Sequence, residues 1–131
     1  PIIGVRQHYL NLNDSTWKLQ NKVGFKYDSS WGFTNDIGFK DKRYSPFYPL
    51  SNSFKVIPLT LMDSCFMVKP DKWNEYEKLL DQCELNDAVM VINFHQHVFS
   101  KYDFPGYKEA YIELIERALK RNAKFYTLSQ I

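Results

Sequence analysis

Two histidines, His95 and His97, stand one residue apart at the end of the apolar run "AVMVINF", and the chain holds only one more, His8. A histidine beside an aspartate can be held protonated near neutral pH, because the carboxylate favours the imidazolium, and can then give a proton to a leaving group. His-x-His is also a metal-ligand spacing. Residues i and i+2 of a strand point the same way, and with His8 the pair would make a three-histidine site. The plainest reading of His97 is a loop residue beside the working histidine.

Other groups able to do chemistry recur at the ends of apolar runs: Arg6, His8 and Tyr9, then Asp28, Ser29 and Ser30, then Asp63 and Ser64. An arginine can fix a carboxylate by a two-pronged hydrogen bond. Together these groups suit a hydrolase. The sequence has no Gly-x-Ser-x-Gly elbow and no reactive Cys-His arrangement, so the nucleophile would be water, which a metal usually activates.

These residues need elements to position them. "PIIGVRQHYL" reads as a short buried strand with a polar tip. Asp14, Ser15 or Thr16 can cap a short helix whose inner face is Trp17, Leu19 and Val23, with Gly24 as its stop. "FKYDSS" alternates as a second strand. Residues 31–53 have no period and form a long loop, a class that is often functional. "FKVIPLTLM" is a third strand, with Pro58 marking an edge or a bulge. "PDKWNEYEKLLDQCEL" is helical, with Trp73, Tyr76, Leu79, Leu80 and Cys83 on its inner face. "AVMVINF" is a fourth strand, apolar on both faces. "YKEAYIELIERALKRN" is the clearest helix, its apolar face formed by Tyr107, Tyr111, Ile112, Leu114, Ile115, Ala118 and Leu119. "AKFYTL" is a last strand. Strands separated by helices predict an α/β fold of parallel strands with crossover helices, either an open sheet or part of a β/α barrel. Such folds gather function at the C-terminal ends of the strands.

Composition fits one domain, with 44% hydrophobic and 17% aromatic residues supplying a core. A net charge of +2 is too mild for a nucleic-acid partner, and "KDKR" and "RALKR" read as a solvated loop and a helix end. Cys65 and Cys83 read as free thiols. No apolar run reaches the ~20 residues of a membrane span. The chain opens on Pro1 and enters a strand-like run at once, so it is expected to start within a domain.

The motifs "GVRQHY", "GFKYDSS", "VINFHQH" and the closing "KFYTLSQI" resemble, in that order, the C-terminal half of polysaccharide deacetylases of the NodB-homology type, carbohydrate esterase family 4. The loop "GFTNDIGFKDKRYSPFYPL" resembles one branch of that family. The resemblance implies the C-terminal part of an incomplete (β/α)7-type barrel, which uses a divalent metal, commonly zinc, to remove acetyl groups from carbohydrate. It makes Arg6 the arginine that orients the catalytic base and Tyr9 the aromatic whose backbone N–H helps hold the oxyanion. His95 becomes the general acid. Asp28 is the first candidate for the carboxylate that tunes His95, and Asp63 the rival. Trp31 and Phe33 would line the sugar groove, with His97 beside it.

The sequence also departs from that pattern. His8 replaces the usual proline, no Asp-Trp pair follows the second strand, and the Asp-Asp and His-x-x-x-His motifs are absent. Those motifs supply the base and the metal ligands, so the resemblance implies that the ligands lie outside this sequence and that the chain alone is inactive. The expected partners are carbohydrate and either the missing N-terminal half or a second copy. The alternative is a deacetylase-like domain without catalysis that binds glycan or a protein.

Overall fold

The computed structural model describes residues 1–50 and 53–131, so Ser51 and Asn52 of the expected loop lie outside the described residues. It is a mixed α/β fold with parallel strands in two small sheets. β1 (Gly4–Val5) pairs with β2 (Tyr27–Asp28), and β2 with β3 (Lys55–Val56). β4 (Leu61–Met62) pairs with β5 (Ile92–Asn93) in the second sheet. The helices are α1 (Thr16–Lys22), α2 (Asp63–Met67), α3 (Lys72–Asn86) and α4 (Tyr107–Lys120).

The stretch expected as one third strand is two. β3 joins the first sheet and β4 the second, with Pro58 between them. Proline has no N–H to give a ladder, so the segment changes partners there instead of bulging. Leu59 N–H bonds to Trp31 O, and Thr60 and Leu61 N–H both bond to Val91 O.

The long loop is stitched to these strands. Phe47 and Val56 exchange backbone bonds of 3.0 and 2.8 Å, Gly38 N–H reaches Thr60 O, and Val89 N–H reaches Tyr44 O. Buried backbone groups need such partners.

The two long helices follow their apolar spacing. α3 buries Tyr76, Leu79 and Leu80, and α4 buries Ala110, Leu114 and Ala118. With Leu61, Phe66, Ile37 and Phe39 they form the larger core, each fully buried large side chain stabilising by roughly 1.5–3 kcal/mol. Tyr76 Oη donates to Leu114 O at 2.8 Å, which ties α3 to α4. Arg117 and Arg121 cross the same seam to Glu77 and Asp81. The smaller core is Leu10, Ile57, Leu59 and Val91, joined by Tyr27, Val89, Leu128 and Ile131.

Three expectations fail. The opening run is not a buried strand: only Gly4 and Val5 pair, and Ile2 is exposed. α1 does not turn Leu19 and Val23 inward, since both are exposed while Gln20 is buried. Its first turn is fastened by Asn13 and Thr16, which trade hydrogen bonds, and not by Asp14 or Ser15. "AKFYTL" forms no strand, because no neighbouring strand pairs with it among the described residues. Phe125 and Tyr126 stay exposed there. No described helix is long and apolar enough to cross a membrane.

Candidate active site

Strand alternation decides which groups meet. Along β5, Met90, Ile92 and Phe94 pack on the larger core, while Val91 belongs to the smaller one. Asn93 and His95 therefore share the side of Val91. On β1 and β2, Gly4 registers with Tyr27 and Val5 with Asp28. A methyl on Gly4 would collide with the Tyr27 ring, so those two share a face, and Arg6 and Ser29 follow them onto it. Asp28 points to the other face, toward α1.

The His95 partner is therefore Asp63, at the end of β4, and not Asp28. The His95 ring Nδ1 lies 2.9 Å from both Asp63 carboxylate oxygens, and the His95 backbone N–H donates to Oδ2 at 2.7 Å. Ser64 N–H donates to Oδ1 at 2.6 Å. Asp63 is fully buried, whereas 41% of the His95 side chain is exposed. A carboxylate only accepts, so Nδ1 carries a proton and donates it. That leaves Nε2, the nitrogen turned away from Asp63, as the atom that exchanges a proton. The grip on both backbone and ring fixes the ring's position and its tautomer together.

Asp28 serves another purpose. It is fully buried and accepts from Ser30 N–H (2.8 Å), Ser30 Oγ (2.7 Å), Gln20 Nε2 (2.9 Å) and Trp17 Nε1 (3.3 Å). All its donors are neutral, and they bind α1 to β2.

Arg6 fills the space between the sheets. Nε donates to Ser29 O at 2.9 Å, Nη2 to Ser29 Oγ at 3.1 Å and Nη1 to Asn93 Oδ1 at 2.7 Å. Burial pushes its guanidinium below the ordinary value, while the nearby Asp28 and Tyr27 act the other way. It forms no ion pair among the described residues, so no base carboxylate is on it here. Two of its five N–H groups remain for another partner.

Tyr9 sits in a left-handed turn with φ of 58°, followed by Leu10 at 53°. Two successive left-handed residues without glycine are uncommon, and such outliers gather at functional sites. Its ring is exposed and stacks on His8 at 4.1 Å. His97 is 5.6 Å from His95, centroid to centroid, and meets Phe104 edge-on at 5.1 Å. His8 makes no ring contact with either, so the three histidines do not come together. No group of three or more His, Cys, Asp or Glu able to hold a metal ion occurs among the described residues. The residues present do not fit a self-contained metal site.

Trp31 packs with Trp17 and Phe47 at 5.8 and 6.1 Å, and Lys40 lies over its ring. That group belongs to the Asp28 side. Phe33 lies against Gly38 in the loop. No hydrogen bond or ring contact joins either to His95 among the described residues. A polar cleft of 630 Å³, lined by Gln7, Asn11, Asn13, Thr16 and Gln20 among others, opens beside α1. Apart from Asp14 its lining cannot ionise. Both thiols are pushed up by burial, Cys83 to about 11, and stay protonated.

Sequence reasoning missed Gln20 and Asn93. Gln20 stands three residues after Trp17, on the same helix face. Asn93 stands two before His95 on a strand, a signal that was present and unused. The chain matches no family model, no curated protein and no solved structure.

Proposed function

We propose that this chain is part of a metal-dependent hydrolase that removes acetyl groups from a polysaccharide or amino sugar, and that it carries the general-acid side of the site. One observation carries the reading: the Asp63–His95 pair, in which a buried carboxylate locks Nδ1 as donor and leaves Nε2 free. In that arrangement the ring, when protonated on both nitrogens, gives its Nε2 proton to the departing amine or alcohol as the acyl carbon–oxygen or carbon–nitrogen bond breaks, and returns to the Nδ1–H tautomer that Asp63 holds. Arg6, half-buried and lacking an ion pair, waits for a carboxylate. That carboxylate, the divalent metal (zinc in most such enzymes) and its ligands come from a segment or chain outside this sequence. Trp31, Phe33 and His97 are the proposed sugar contacts, and the Tyr9 turn the proposed oxyanion donor.

The test is acetate release from acetylated oligosaccharides with zinc present. The expected result is no release by this chain alone, and release when the sequence is assayed within a longer chain that supplies the metal ligands. His95→Gln should cut that release by about 10²–10⁴. Release that is indifferent to His95→Gln would end the reading. Sugar binding without turnover in the longer chain would make this a glycan-recognition domain instead.

A further inference from the structure

Asn93 is fixed in one orientation. Arginine can only donate, so the oxygen of the Asn93 amide must face Arg6 Nη1, as it does at 2.7 Å. Its Nδ2 then points the other way with two N–H donors. Nδ2 makes no hydrogen bond among the described residues, and it is not among the buried polar atoms that lack a partner, so it reaches the surface. Ile92 and Phe94 pack on the larger core, which turns Asn93 and His95 to the opposite side. Residues two apart on a strand lie about 7 Å apart along it. A donor pair held rigid by a half-buried cation thus shares a strand face with His95, whose ring is partly exposed.

We propose that the Asn93 side-chain amide binds substrate, donating an N–H to the acyl carbonyl oxygen of the acetylated sugar that His95 serves. This deepens the hydrolase reading and rests on it. The ligand class follows from the donor: Nδ2 can only donate and is neutral, and the two N–H groups left on the adjoining Arg6 are those that await the base carboxylate. That suits a neutral carbonyl oxygen.

The experiment is titration of the full 131-residue chain with the trimer of N-acetylglucosamine, read by NMR at the Asn93 side-chain amide and the His95 ring. Asn93→Asp is the matching variant, because it keeps an acceptor for Arg6 and removes both donors. The expected result is movement of both signals in the wild type, and roughly three- to tenfold weaker binding by Asn93→Asp at unchanged melting temperature. Movement at His95 with a silent Asn93 amide, or equal affinity in Asn93→Asp, overturns the Asn93 role and leaves the hydrolase reading standing. No movement at either residue overturns both. If Asn93→Asp melts lower than the wild type, the wild-type amide signal decides by itself.

Discussion

Asp28 and Asp63 are both fully buried carboxylates at the ends of parallel strands. Asp28 is closed on every side by four neutral donors from Trp17, Gln20 and Ser30. Asp63 is closed on one side by backbone N–H groups and opens on the other to a half-exposed histidine. The contrast separates a carboxylate that holds the fold from one that holds a reagent. A buried charge surrounded by protein donors has nothing left to offer. One that spends part of its capacity on a solvent-facing ring passes its order to an atom able to react.

The sharpest way to break that contrast is Asp28→Ala. It strands the Gln20, Trp17 and Ser30 donors and should lower the unfolding free energy by about 3–5 kcal/mol, measured by urea denaturation. A loss under about 1 kcal/mol would remove the distinction between the two corners. Asp63→Ala should cost less stability, about 1–3 kcal/mol, because His95 can turn to water. Its signature is different: nitrogen NMR should show both tautomers of His95 where the wild type shows Nδ1–H alone. Gln20→Leu removes one donor from Asp28 and should cost about 1–2 kcal/mol, with His95 unchanged.

Acid should act elsewhere. Arg117, and less strongly Arg121, hold the Glu77 carboxylate below its ordinary 4.5, against the opposing push of burial. A depressed carboxylate stabilises above the unfolded value and loses that contribution as pH falls through the folded one. Melting between pH 5 and pH 3 should therefore show a drop from the α3–α4 seam, under about 1 kcal/mol for pairs this exposed. Glu77→Gln should flatten it, and a drop that survives would assign the acid loss to the Asp36–Lys69 pair, whose carboxyl is also held low by that bond. The smallest effect belongs to Leu19→Ser and Val23→Thr, within about 0.5 kcal/mol by thermal melting. A larger loss would mean that α1 presents a different face.

The long helices were legible because fifteen and fourteen residues give the apolar period room to show. The strands were legible as places but not as pairings. Each pairs over only two residues, and alternation cannot be phased from a stretch that short. The resemblance puts Asp28 first and Asp63 second as the partner of His95, and strand phasing cannot correct that order: the face Asp28 takes depends on its register with Val5, which no residue type announces. The α1 face was misread for a related reason. Seven residues carry less than two full turns of signal, and there a buried carboxylate selected Gln20 and Trp17 over Leu19 and Val23. His95, Arg6 and Asp63 are visible as strand-end polar residues, whereas an amide two residues before a histidine carries no signature of its own.

The bond between Arg6 and Asn93 joins residues 87 apart in sequence, and the bond between Asp63 and His95 joins residues 32 apart. The seam between α3 and α4 joins residues 38 to 44 apart, so the Arg6–Asn93 bond is the tie of longest range among these. Closing long loops costs chain entropy before any contact repays it, and non-local contacts set the pace of folding. By loop length the Arg6–Asn93 bond is expected to close after the α3–α4 seam and the Asp63–His95 pair. By the same order that bond is expected to open early in a partial unfolding, and its opening frees the Asn93 amide from the orientation that Arg6 imposes.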